Sequence, residues 1–232
     1  DGCSSLTLLT FESNSSLTDI KGFAFRGTNI TYISDTFPNP ITTDNNYCVF
    51  GFGETGRVTI SAGIRVIQSS FFRGCQTLRS VLFEEGSVLE EIGEYAFYGT
   101  GLKSIEFPSS VRRINSDAFR DLSDLQNVSF GSLNTSSMDH IGHRAFHKTG
   151  IKSVVIPRSV GSMGSSAFSN TPLELITFET NGSLSQIPDG AFANTLLKSV
   201  EIPRWVRSIG LYAFDGCSSL TLLTFESNSS LT

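Results

Sequence analysis

Gly99–Phe119 reads GTGLKSIEFPSSVRRINSDAF, and two later stretches repeat its skeleton: KTGIKSVVIPRSVGSMGSSAF, ending at Phe168, and NTLLKSVEIPRWVRSIGLYAF, ending at Phe214. A longer version alternates with it, as in GCQTLRSVLFEEGSVLEEIGEYAF over Gly74–Phe97. The closing aromatic of successive copies falls at Phe25, Phe50, Phe72, Phe97, Phe119, Phe146, Phe168, Phe192 and Phe214, in steps of 22 to 27 residues. A recurrent apolar skeleton at a period near 23 means a solenoid, in which each repeat covers its apolar side with the next.

Within one copy, Leu102-x-x-Ile105-x-Phe107 predicts a short strand whose alternate residues face opposite ways. Ile105 and Phe107 should point inward and Ser104 and Glu106 outward. Pro108 should end the strand, because it has no N–H for the ladder. Val111 and Ile114 return to the core, and Ala118-Phe119 fills the far side. The fold class that follows is a repeat solenoid: a leucine-rich-repeat-like, right-handed array with a parallel β-sheet. It carries one short strand per repeat of ~22–27 residues, with mostly turns and short helical pieces opposite. Residues 1–232 then form a single solenoid of about nine to ten repeats, a face roughly 45 Å long at strand spacing. The stretch 30–50 fits poorly and reads as a degenerate repeat with a bulged loop around Phe37, Pro38 and Pro40.

Composition agrees with one unit used many times. Apolar residues at 39% and 21 glycines in 232 residues place the chain in the ordinary globular range, which excludes a disordered chain. Charged residues are only 17%, and 35 serines fill the gap. Nineteen of the 25 aromatic residues are Phe, as expected of a core built on one repeated position. The net charge of −5 supplies no basic footprint for nucleic acid, and no apolar run is long enough to enter a membrane.

The pattern IGxxAFxGxxLxSVxIPxSV, seen here from Ile92-Gly93 through Val111, resembles the BspA-like leucine-rich repeat family. FESNSSLT is similar to the longer repeat variant of that family. The resemblance covers nearly the whole chain except about 30–48, and departs from commoner leucine-rich repeats in lacking a regular Asn or Cys column. It implies display on a cell surface or secretion, adhesion to host or matrix proteins or glycans, and no enzymatic activity or cofactor. The family is common in surface proteins of parasitic protists and mucosal bacteria.

Several motifs that suggest chemistry have simpler readings. His140, His143 and His147 have a spacing that invites a metal, but Ile141, Ala145 and Phe146 between them hold core columns, which leaves the histidines as surface positions. GFGETG at 51–56 matches G-x-G-x-x-G, yet the RVTIS that follows reads as a strand, not the helix a dinucleotide needs. Cys3, Cys75 and Cys217 share a column, and column-mates two or more repeats apart are roughly 10 Å or more distant, too far for a bridge. With Cys48 they are read as small buried apolar residues. No metal or catalytic set is assigned.

Two surfaces are candidates for binding. The first is the outward sheet face, with Ser104, Glu106, Asn127, Ser129, Ser153, Val155, Thr177, Ser199 and Glu201. It is small, polar and flat, so single contacts should be weak and affinity should come from many copies. The second is a basic stripe of Arg65, Arg112, Arg158, Arg204 and Arg207 beside Trp205, suited to sulfated glycans or acidic proteins, or else a solvated edge. Six N-x-S/T sequons occur; Asn14, Asn181 and Asn228 share one point of the long-repeat loop and are candidate glycan sites. The functional expectation is a non-catalytic surface or secreted module with extracellular protein or glycan ligands. The alternative is a structural spacer or variable antigen with no specific ligand.

Residues 1–18 and 215–232 are identical, DGCSSLTLLTFESNSSLT, at an offset that is a whole number of repeats. Either a block was duplicated or one segment was reused at both ends. Neither end carries a polar capping repeat, so the chain reads as part of a longer array, and end-to-end self-association through uncapped termini is open to it.

Overall fold

The structure is a computed structural model that describes residues 5–9, 19, 20, 28, 30–33, 42, 43, 56–131 and 135–227. It is a parallel β-solenoid whose coils are joined by three ladders of backbone hydrogen bonds. The first ladder is the predicted one. Leu8–Leu9, Tyr32–Ile33, Arg57–Ile60, Ser80–Phe83, Ser104–Glu106 and Asn127–Ser129 form a six-stranded parallel sheet. Ser153–Ile156 paired with Leu175–Phe178, and Ser199–Ile202 paired with Leu222–Phe225, continue the same column. Alternation places the side chains as expected: Ile105 and Phe107 are buried, and Ser104 and Glu106 are exposed. Pro157 and Pro203 each follow the last residue of a strand.

The second ladder was not anticipated. Val66–Ile67, Glu91–Ile92, Arg113–Ile114, His140–Ile141 and Ser162–Met163 pair in parallel as a five-stranded sheet, and Gln186–Ile187 with Ser208–Ile209 repeat the arrangement. Two-residue strands are too short to show a period of two, so the sequence revealed only that Ile114 returns to the core.

The third ladder runs through the Ala-Phe corner, where short helical pieces were expected. No described residue is helical. Two residues per corner hold positive φ instead: Asp117 and Asp121, Arg144 and Lys148, and Ser166 and Asn170 are such pairs. A left-handed residue breaks helical propagation at once. The N–H groups between the breaks turn outward to the neighbouring coil, as when Phe119 N donates to Ala145 O and Phe146 N to Ala167 O, both at 2.8 Å. Non-glycine residues occupy most of these positions, which is why no glycine pattern marked them.

The core follows from the corner. Phe72, Phe97, Phe119, Phe146, Phe168, Phe192 and Phe214 stack in one column with centroids 4.9–6.0 Å apart. That spacing is close to the ~4.8 Å between neighbouring strands. Six of the seven rings are fully buried, and each contributes about 1.5–3 kcal/mol of burial. Coil backbones approach closely where the glycine after the second-ladder strand enters the corner: a Cβ on Gly164 would sit 2.3 Å from the His143 backbone nitrogen.

Three short repeats are tied to the long repeat that follows through a carboxylate. In two of them Pro157 and Pro203 end the strand, and the N–H just beyond points to the next coil. There a Glu follows the strand and accepts it: Arg158 N donates to Glu179 Oε2 at 3.0 Å, and Arg204 N to Glu226 Oε2 at 3.1 Å. Ala62 N donates to Glu84 Oε2 in the same way, at 3.0 Å.

In the stretch taken as degenerate, Tyr32–Ile33 pairs on both sides within the first ladder and Thr42–Thr43 pairs with Asp19–Ile20; the supposed bulge around Phe37 to Pro40 lies outside the described residues. The cysteine reading is corrected: Cys75 is fully buried but disulfide-bonded. Cys217 is a free thiol, so the partner of Cys75 lies outside the described residues. The distance argument covered column-mates only, and Cys48 is off that column.

Candidate functional site

The first ladder sets the geometry of the face. Its register aligns Thr59 with Leu82, Ser129 with Glu106, Val155 with Thr177 and Glu201 with Thr224, which makes one outward column. A second column contains Arg57, Ser80, Ser104 and Asn127, with Ser153 beside Leu175 and Ser199 beside Leu222. Ser104, Glu106, Asn127, Ser129, Ser153, Val155, Thr177, Ser199 and Glu201 are all exposed and all lie on this face. Shallow depressions of about 300–410 Å³ run along it; one is lined by Ser104, Glu106, Asn127, Ser129 and Ser153.

The face is less polar than its serines suggested. Leu82, Val155, Leu175 and Leu222 stand out from it at 41–54% exposure. Leu175 and Leu222 occupy the serine column and were missed because that column was read from its commonest residue. A basic edge was also missed. Arg79, Lys103, Lys152 and Lys198 directly precede the strand column and are exposed. Lys198 donates to Glu174 at 2.7 Å, which holds that carboxyl below its usual range. The signal was present in the recurring [LI]-[KR]-S.

The basic stripe on the other flank is interleaved with acids. Arg112 donates twice to Asp139 Oδ2, at 3.0 and 3.3 Å, and Arg65 pairs with Glu90. Arg158, Arg204 and Arg207 are exposed, but the first two sit beside the Glu179 and Glu226 carboxylates that accept their backbone N–H. Trp205 is half-buried against the core and covers Gly182, where a Cβ would meet its Nε1 at 2.7 Å. The stripe is therefore a mixed-charge edge.

The histidines are spread along one coil. His140 Nδ1 lies 2.8 Å from Ser162 Oγ and His147 Nδ1 lies 2.7 Å from Ser169 Oγ, each bonded to the following coil. Burial, with Arg113 near His140 and Arg120, Lys148 and Arg144 near His147, lowers both imidazole pKa values. His143 is exposed between them. No group of potential metal ligands is found among the described residues. An aromatic pair lies off the sheet face, at a corner where the Arg73 guanidinium sits 5.0 Å from the rings of both Tyr95 and Tyr98. Asn181 is exposed on its loop; Asn14 and Asn228 fall outside the described residues.

The family model described as the BspA type leucine rich repeat region matches in six copies, over residues 1–89, 50–174 and 139–232. Among solved structures, the pneumococcal vaccine antigen PcpA aligns with 21% identity and a TM-score of 0.58, covering 96% of this chain. The chain spans 63% of the length of that antigen. A leucine-rich repeat protein of T. pallidum aligns with 24% identity and a TM-score of 0.56, covering 82% of each chain. Both likenesses are of fold. Comparison with curated proteins finds no match.

Proposed function

The chain belongs to the BspA-type leucine-rich repeat family, and on that premise we propose that it is a non-catalytic, surface-displayed or secreted module that binds extracellular proteins or glycans through its sheet face. The observation that carries this reading is the register of the first ladder. It aligns one outward residue pair per coil into a continuous exposed face, while the opposite side chains fill the core. Shallow depressions and scattered aliphatics suit a broad, weak contact, and copy number multiplies such contacts into avidity. The neighbouring Arg and Lys edge supplies steering toward acidic partners.

Location outside the cell has separate support. Cys75 is disulfide-bonded, and disulfides persist in oxidising compartments. The sequon at Asn181 sits on an exposed loop, a position open to a glycan.

The test is solid-phase binding of the chain to matrix proteins, heparin and epithelial cells, alone and clustered on beads. Glu106→Arg with Glu201→Arg alters the sheet face; Arg158→Glu with Arg204→Glu alters the stripe; circular dichroism checks the fold of each. The expected result is saturable binding that the first pair reduces several-fold and the second leaves intact. Loss with the second pair alone would move the site to the stripe. No binding even when clustered would leave the spacer reading in its place.

A further inference from the structure

The third ladder stacks side chains as well as backbones. Gly74, Gly99 and Asp121 donate their N–H groups to the carbonyls of Tyr98, Arg120 and His147 in the next coil. Arg73, Tyr98, Arg120 and His147 therefore follow one another down the corner, one per coil. Three residues earlier in each coil, Tyr95, Asp117 and Arg144 form the column alongside. The Arg73 guanidinium lies 5.0 Å from the ring centroids of both Tyr95 and Tyr98, which meet edge to face at 5.9 Å. Arg120, one coil on, lies 5.9 Å from the Tyr98 ring.

Charge at this corner changes with depth. Asp117 is buried and Asp121 half-buried, and Arg120 holds both, at 3.1 and 3.5 Å. Arg144 and Lys148 are exposed and Arg73 is half-buried; none of the three has an ion pair among the described residues. Burial, then Arg120, Lys148 and Arg144, lower the His147 pKa against the pull of Asp121, so three cations converge on that ring. Glu94 lies exposed at the margin, next to Tyr95. The chain carries a net charge of −5, yet here its outermost groups are cations.

A guanidinium held by two rings has its planar fork fixed, so little freedom is lost when a carboxylate takes it bidentately. Tyrosine and arginine are also the residues that dominate binding energy at protein interfaces. From Arg73 to Arg144 and Lys148 is three coil steps, roughly 15 Å at ~4.8 Å each. An extended peptide crosses that distance in about four to five residues.

We propose that this corner is a second binding site, separate from the sheet face, for an extended acidic segment of a partner protein. One carboxylate pairs with Arg73 between Tyr95 and Tyr98, and another with Arg144 and Lys148. An aliphatic side chain between the two covers Tyr98. The site does not depend on what the sheet face binds.

The test is fluorescence anisotropy of the full chain with a fluorescein-labelled peptide that has two glutamates four residues apart, a leucine midway and serine elsewhere. Wild type should bind it saturably, with an affinity that falls as salt rises, and should not bind the peptide with glutamine in place of glutamate. Arg73→Gln, and separately Arg144→Gln with Lys148→Gln, should each weaken binding several-fold. Arg73→Lys keeps the charge without the fork and should recover only part of the loss. Val155→Ser with Leu175→Ser, on the sheet face, should leave binding unchanged; circular dichroism verifies that every variant is folded. No saturable binding, equal binding of the glutamine peptide, or binding untouched by the corner variants would each overturn the proposal. So would corner-dependent binding of heparin fragments in place of the peptide, which would make the ligand a sulfated glycan.

Discussion

The backbone N–H of Arg158 donates to the carboxylate of Glu179 one coil later, at 3.0 Å. Pro157 has no N–H of its own, so the next donor along the chain carries the link between a short and a long repeat. Glu179→Ala should lower stability by about 1 kcal/mol, and Glu179→Gln by less, because the amide oxygen still accepts. Urea unfolding followed by circular dichroism compares the two.

The stacked rings form a continuous column, so a gap in the middle should cost more than one at its end. Phe146 is fully buried and stacks on Phe119 at 5.3 Å and Phe168 at 5.2 Å. Phe146→Ala should cost about 3–5 kcal/mol. Phe214 is half-buried and stacks only on Phe192 among the described rings, and its replacement by Ala should cost well under half as much. Parallel thermal melts decide it.

Backbone geometry predicts two substitutions of opposite sign two residues apart. Gly164→Ala drives a Cβ against the His143 backbone and should destabilise. Ser166 holds φ of 59° at a corner position that Gly190 fills in another coil. Ser166→Gly relieves a left-handed strain of about 1–2 kcal/mol, less the entropy glycine loses on folding, for a net gain of about 0.5 kcal/mol. The melting temperature should fall for the first and rise for the second.

Stability should depend on pH near neutrality. Burial, then Arg113 at His140 and Arg120 at His147, lower the folded pKa of both rings, against the pull of Asp139 and Asp121. The unfolded chain then binds protons first, so stability is complete above the ordinary histidine pKa of ~6.5 and declines as pH falls below it. His140→Gln with His147→Gln should flatten that decline. Denaturant midpoints between pH 5 and 8 measure it.

What the sequence revealed follows from the distance over which each feature is encoded. The Ala-Phe period and the inward pair Ile105 and Phe107 are local patterns repeated many times, and the core and the outward face followed from them. The ion pairs of Arg65 with Glu90 and Arg112 with Asp139 join residues 25 and 27 apart. They depend on coil register, so the stripe looked more basic in the sequence than it is in space. The left-handed corners were hidden because residues as different as Tyr95, Asp117 and Arg144 adopt them; inter-coil hydrogen bonds hold that geometry in place of glycine.

The carboxylate that follows a long-repeat strand also constrains how such an array can be inherited. Two of the three coils that end in Pro are completed by a neighbour bearing Glu, Pro157 by Glu179 and Pro203 by Glu226, whereas the Pro108 coil faces Gly131. At those two junctions, losing or gaining a single coil by unequal crossing-over would separate the backbone N–H from its carboxylate. Losing or gaining a pair leaves each junction as it was. At these two junctions a change of length by two coils therefore keeps a hydrogen bond that a change by one would lose.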